Sequence, residues 1–349
     1  MTVTTKVPTQ LDERLGKGRL LDRLVLRPEI GSLLGAVLVF AFFSLVTDQF
    51  LSPGGVATWL DDSSTLGVMA VAVALLMIGG EFDLSAGVMT ASTALVTAVL
   101  STRLGLNVWV ALLVSLAFAL GVGALNGWLV MRTGLPSFIV TLGTFLALQG
   151  LNLGVTRMIT GTVQVSGMRD ADGYASAGYL FASTFGLGDT SFRVSVVWWL
   201  LFTVVASTVL MRTRFGNWVF AVGGSSASSR AVGVPVVRTK ILLFMTTAFA
   251  AWFVGSMNIL RFASVQANQG IGLEFQFIIA AVIGGCLLTG GFGSAVGAAI
   301  GALIFGMARQ GIVYAQWNSD WFQLFLGIML LSAVLVNNAL RRRAERVRP

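Results

Sequence analysis

The chain has 349 residues, 56% of them hydrophobic and 11% charged, with a net charge of +8 and a mean hydropathy of +0.85. Soluble domains carry about 25% charged residues, so this composition excludes a water-soluble globule and indicates an integral membrane protein. There is no histidine and a single cysteine, Cys286, which excludes a Ser-His-Asp triad, a Cys-His dyad, a histidine-based metal site and any disulfide within the chain. Topology and anionic lipid explain the positive charge better than nucleic acid does, given so much apolar sequence.

Residues 1–29 mix acids and bases with no separate apolar core, so they do not read as a signal peptide but as a cytoplasmic segment. Within them Leu20, Leu21, Leu24 and Val25 recur opposite Arg19, Arg23 and Arg27, the pattern of a helix lying on the inner membrane face. An unstructured basic arm is the alternative. Apolar segments then follow near 30–47, 65–80, 84–100, 108–131, 135–155, 193–211, 240–260, 275–289, 295–314 and 321–339. Several fall short of the roughly 20 residues needed for a full span. The fold class is therefore all-α: a polytopic membrane protein of about ten transmembrane helices, some broken or re-entrant, with both termini cytoplasmic. The transmembrane unit covers 30–339, with an outer loop over 156–192 and an inner loop over 212–239. A basic cytoplasmic tail occupies 340–349.

With the termini inside, most basic residues gather on the inner side. They include Arg132, Arg212, Arg214, Arg230, Arg238 and Lys240, together with the two ends of the chain. Asp48, Asp61, Asp62, Asp170, Asp172, Asp189 and Asp320 fall on the other side, which satisfies the positive-inside rule. Trp59, Trp109, Trp198, Trp199, Trp317 and Trp321 cluster at outer helix ends, with Trp128 and Trp218 at inner ends, as interface-anchoring rings do. Trp252 lies mid-span, where a packing role is expected.

Two stretches interrupt the apolar pattern. Gly79-Gly80-Glu81-Phe82-Asp83-Leu84-Ser85-Ala86-Gly87 carries two carboxylates between short apolar runs. Gly79-Gly80 is expected to end one helix, with Asp83 or Ser85 at the start of the next. Such a broken helix is a pore or gate element if it sits at membrane depth, and an acidic cap if it sits at the surface. Gly284-Gly285 through Thr289-Gly290-Gly291 faintly echoes it, too weakly to establish a repeat. Gly123 and Gly127, and Gly293, Gly297 and Gly301, recur every fourth residue, the spacing of close helix packing. Arg309, near an outer helix end, reads as a snorkelling side chain. No phosphate-binding Gly-x-x-x-x-Gly-Lys-Ser/Thr loop occurs, so the chain has no ATPase site of that kind. The inner stretch Gly223 to Pro235 spells a short helix with a serine cap and a terminal Gly233: a docking knob for a cytosolic partner, or a solvated basic connector.

Four blocks, in order, resemble the permease subunits of ATP-binding-cassette importers for ribose and other simple sugars, within the branched-chain amino acid/monosaccharide permease superfamily. They are Gly80-Glu81-Phe82-Asp83-Leu84-Ser85-Ala86-Gly87, Leu135 to Thr144, Arg230-Ala231-Val232-Gly233-Val234, and Ala280 to Gly285 continuing to Ser294. The resemblance implies a non-enzymatic subunit, without cofactors of its own, in a bacterial inner membrane. A second permease copy or paralogue would share the path, cytosolic ATPases would hydrolyse the ATP, and an extracytoplasmic sugar-binding protein would deliver a pentose or hexose. Membrane lipid would surround it, and nucleic acid plays no part. It further implies that Gly224, Arg230, Ala231, Gly233 and Val234 seat the ATPase. Glu81, Asp83 and Ser85, with the polar candidates Asn126, Ser137, Thr141 and Thr144, would flank a path or gate; for the last four, helix–helix hydrogen bonding is the other reading. Serines in the inner loop and Phe292 depart from the usual pattern, where charged residues and arginine are common. Import of a nucleoside, a furanose signal molecule or a branched-chain amino acid, and ATP-independent secondary transport, are the alternatives.

Overall fold

The computed structural model describes residues 28–347, with side chains over 29–335. The amphipathic pattern before residue 28 and the side chains of the basic tail lie outside the described residues. Helix α1 spans Pro28–Val46, α2 Pro53–Ile78, α3 Ala86–Thr102, α4 Val108–Thr133 and α5 Ser137–Thr160. After these come strand β1 (Gln164–Ser166), α6 (Tyr174–Phe181), and strands β2 (Thr184–Leu187) and β3 (Thr190–Arg193). The second half holds α7 (Val194–Arg212), α8 (Arg214–Gly224), α9 (Ser226–Ala231), α10 (Val236–Phe262), β4 (Ser264–Gln266), α11 (Leu273–Ile283), α12 (Ala295–Tyr314) and α13 (Trp321–Val347). All ten expected apolar segments are helices. Among the described residues seven helices are long and apolar enough to cross a membrane, while Ala86–Thr102, Leu273–Ile283 and Trp321–Leu335 are shorter apolar helices.

Helix α2 is the axis of the molecule. Every residue from Leu66 to Gly79 is buried, because small and β-branched side chains on all faces let α12, α7, α10 and α11 pack around it. Glycines set the closest approaches. A Cβ on Gly127 would lie 2.7 Å from the Ile241 Cα, and one on Gly123 would lie 2.8 Å from the Ala248 Cβ, so α4 and α10 touch backbone to backbone. Gly297 and Gly301 do the same for α12 against the end of α11.

The structure corrects several expectations. Helix α2 begins at Pro53, twelve residues before the apolar run, after the Ser52 hydroxyl accepts from the Gly55 N–H. Asp61 and Asp62 therefore sit inside a helix. Asp61 accepts from Arg261 at 2.8 Å and from Ser195 Oγ at 2.9 Å, and Asp62 accepts from Gln310. Helix α11 stops at Ile283 rather than 289, and the inner loop contains an amphipathic helix, α8, burying Gly216, Val219 and Val222. Two of the presumed interface tryptophans are packed inside. Trp59 stacks on Phe50 and donates to its carbonyl at 3.2 Å, and Trp199 lies over Gly67. Trp252 packs as expected and donates to Leu112 O at 3.0 Å. Arg309 is exposed on α12.

The loop expected on the outer side is an ordered cap. Strands β1 and β4 pair antiparallel, β2 and β3 form a hairpin, and Tyr174 Oη donates to Leu260 O at 2.8 Å. Asp172 accepts from Asn107 Nδ2 at 2.7 Å, which fixes the cap over the α3–α4 turn.

Candidate functional site

The α2–α3 break begins with a left-handed glycine. Gly80 has φ +82°, its N–H donates to Met77 O at 2.9 Å, and the Glu81 N–H donates to Leu76 O at 3.2 Å. This paired closure satisfies the last carbonyls of α2. The α11–α12 break repeats it: Gly285 has φ +91°, Gly285 N–H donates to Val282 O at 2.9 Å and Cys286 N–H to Ala281 O at 3.0 Å. The faint echo between the two glycine pairs is thus a shared backbone geometry.

Downstream of Gly80 the backbone is neither helix nor strand, and borrowed side chains satisfy it. Ser137 Oγ accepts from the Phe82 N–H at 3.0 Å and Thr141 Oγ1 from the Leu84 N–H at 3.1 Å. Asp83 Oδ1 accepts from the Ser85 N–H at 2.9 Å and from Ser85 Oγ at 2.5 Å. Ser85 makes no capping hydrogen bond to α3; its hydroxyl instead accepts from Asn126 Nδ2 at 3.1 Å. Asn126 Oδ1 accepts from Thr144 Oγ1 at 2.6 Å. Glu81 forms a salt bridge with Lys240, their side chains 9% and 11% exposed. The seven path or gate candidates therefore lie in one region: Asp83, Ser85, Asn126 and Thr144 form a continuous hydrogen-bonded chain, while Ser137 and Thr141 hold the same stretch of backbone. Thr144 is half-buried and the other six are buried. As placed here, they tie α4 and α5 to the break.

Lys240 escaped the sequence reasoning, which counted it only toward the charge balance. The available signal was a lone lysine one turn into an apolar helix, with a glutamate in another apolar stretch to neutralise it. Glu274 was missed as well. It is buried in the first turn of α11, where both carboxylate oxygens accept from the Gly272 N–H at 3.1 Å, and an acid in a first helical turn is a recognisable mark.

The loop expected on the inner side, 212–239, holds the second cluster. Ser225 Oγ accepts from the Ser228 N–H at 3.2 Å and starts α9, and Gly233, φ +83°, ends it. The closure is again the paired one, with Gly233 N–H to Arg230 O at 3.1 Å and Val234 N–H to Ser229 O at 3.0 Å. Ser229 is buried and anchors the helix, whereas Gly224, Arg230, Ala231 and Gly233 are exposed and Val234 is half-buried. Val232 is 79% exposed at the tip. An open groove of about 570 Å³ runs beside the knob, between Arg230, Arg238, Val237 and Leu242.

Ordered breaks in a bundle of apolar helices describe a multi-pass membrane protein. The chain matches the branched-chain amino acid transport system permease component family over residues 55–334, and it belongs to that family. It is 32% identical to the probable ABC transporter permease protein YphD of Escherichia coli K12, with 92% of each chain covered. It is 30% identical to the ribose import permease RbsC of the same strain, covering 88% of this chain and 92% of the relative. To the xylose transport system permease XylH it is 29% identical, over 88% and 91%. No solved structure matches.

Proposed function

We propose that the chain is the membrane-spanning subunit of an ATP-driven importer that brings a monosaccharide, a pentose or hexose, into the cytoplasm of a bacterium by alternating access across the inner membrane. Two permeases, identical or paralogous, enclose the path. Cytosolic ATPases seat on α9, and an extracytoplasmic sugar-binding protein docks on the outer cap. The observation that carries the reading is α9, a six-residue helix closed at both ends, presenting Arg230, Ala231 and Val232 to the surface. Six residues are too few for a stable helix in isolation, so this one is held in shape by its caps and by the helices on either side. A rigid exposed knob of that kind suits insertion into a partner's cleft. The sugar assignment draws on the ribose and xylose relatives.

In this reading the ATPases close on ATP, α9 moves with them, and the bundle switches between outward and inward access. Asp83, Ser85, Asn126, Ser137, Thr141 and Thr144 keep the break shaped while it moves. The test is purification of the tagged protein from its own host in mild detergent, with mass spectrometry of what accompanies it. An ATPase and ATP-dependent sugar uptake are expected. Uptake that survives ATP depletion and collapses with the ion gradient would establish a secondary transporter instead.

A further inference from the structure

We propose that the Glu81–Lys240 ion pair and the crossing of Gly80, Gly223 and Gly290 form one transmission joint, through which displacement of α9 turns both helix breaks together. This rests on the importer reading above, in which Glu81 flanks the path, and assigns a positioning role to Lys240 and to the three glycines.

The segment carrying α9 is gripped on both sides by the short stretch from Ile78 to Glu81. Upstream of α9, a Cβ on Gly223 would overlap the Ile78 carbonyl oxygen, the last residue of α2. Downstream, Lys240 lies one turn into α10 and reaches back to Glu81. The second break joins at the same place. A Cβ on Gly290 would lie 2.7 Å from the Gly80 Cα and 2.8 Å from the Gly223 carbonyl oxygen, and the Gly291 N–H donates to Ile78 O at 2.8 Å. Three backbones thus touch with no side chain between them. A side chain can absorb movement by changing rotamer; backbone against backbone cannot, and close-packed contacts pass displacement on.

The surroundings decide what moves. Helix α2 is buried along its inner length and cannot slide without disturbing every neighbour. Its left-handed closure at Gly80, and the matching one at Gly285, are the points where the chain changes direction. A pull on the α8–α9 junction therefore bends both breaks rather than shifting α2. The ion pair keeps α10 in the same motion. With side chains about one-tenth exposed, it is largely shielded from water and less screened than a surface pair.

Single replacement of Glu81 or Lys240 strands a largely shielded charge and lowers stability, whereas replacing both with neutral residues of similar shape is close to neutral. The informative variant is therefore Glu81→Gln with Lys240→Met. The reporter is native: Cys286, the chain's one cysteine, is 1% exposed in the second break, and a Cβ on Gly293 would lie 2.6 Å from its sulfur. In the tagged permease–ATPase complex, the rate of Cys286 labelling by a methanethiosulfonate reagent is compared with and without ATP and vanadate. The unaltered complex is expected to change its rate by at least about fivefold, the lower end of an ordinary coupling between sites. The paired variant should keep the unaltered ratio of ATPase to permease and its melting temperature, yet lose that change. A paired variant retaining the full change overturns the joint, as does an unaltered complex that hydrolyses ATP with no effect on Cys286. A preparation lacking any ATPase overturns the importer reading, and the joint with it.

Discussion

Replacements at Gly233 separate backbone conformation from side-chain size. The residue has φ +83°, and a Cβ there would meet nothing within 4 Å, so a larger side chain has room and only the left-handed backbone resists it. That conformation costs an ordinary L-residue about 1–2 kcal/mol. Asn visits it more readily than Ala, and β-branched Val tolerates it least. A penalty of about 1–2 kcal/mol lowers the population of the closed cap by roughly 5–30-fold. Helix α9 has six residues, with few internal hydrogen bonds to resist the change. ATPase recovered per permease should thus fall in the order Gly, Asn, Ala, Val. The melting temperature of the permease alone should hold, because nothing packs on the site. Asn below Ala, the order of side-chain volume, would refute the conformational argument; Val equal to Gly would show that the cap is irrelevant to docking.

At the glycine crossing the rule is reversed, since space is what is missing. Gly223→Ala should abolish the folded complex, while Gly224→Ala, whose added methyl meets nothing within 4 Å, should fold normally, as size-exclusion profiles in detergent would show. Asp61→Ala leaves Arg261 with its charge partly buried and unmatched and also removes the acceptor for Ser195. With side chains 28% and 9% exposed, the loss should be about 2–3 kcal/mol, below that of a fully buried pair, and visible as a lower melting temperature. Asn126→Ala removes the hydrogen bonds to Ser85 and Thr144 and leaves a void. At about 0.6 kcal/mol per bond within a membrane bundle, plus the cavity, it should cost roughly 1–3 kcal/mol, and Thr144→Val less; equal losses would argue against the chain of contacts.

What was legible in the sequence was local. The ten apolar helices announce themselves as runs of apolar residues, and Gly79-Gly80, Gly284-Gly285 and Gly233 end helices because a left-handed closure is a property of a few adjacent residues. The serine cap of α9 was legible for the same reason. Asp61 and Asp62 lie ahead of the apolar run near 65–80 and so read only as outer-side charge. What makes them tolerable is Arg261, Ser195 and Gln310, all more than a hundred positions away. Trp59 and Trp199 had the composition of interface anchors, but Phe50 and Gly67 offered them packed sites inside.

By itself the sequence determined that this is a bundle of membrane helices, where the chain breaks, and that a short capped helix lies between Gly223 and Pro235. Each of these follows from neighbours along the chain, through periodicity, capping and the cost of a polar backbone among apolar side chains. Only the tertiary structure decided that Lys240 answers Glu81, that Ser137 and Thr141 satisfy the opened backbone, and that three glycines from separate segments meet at one point. Those choices depend on which distant surfaces come within hydrogen-bonding or van der Waals reach, and local pattern carries no record of that.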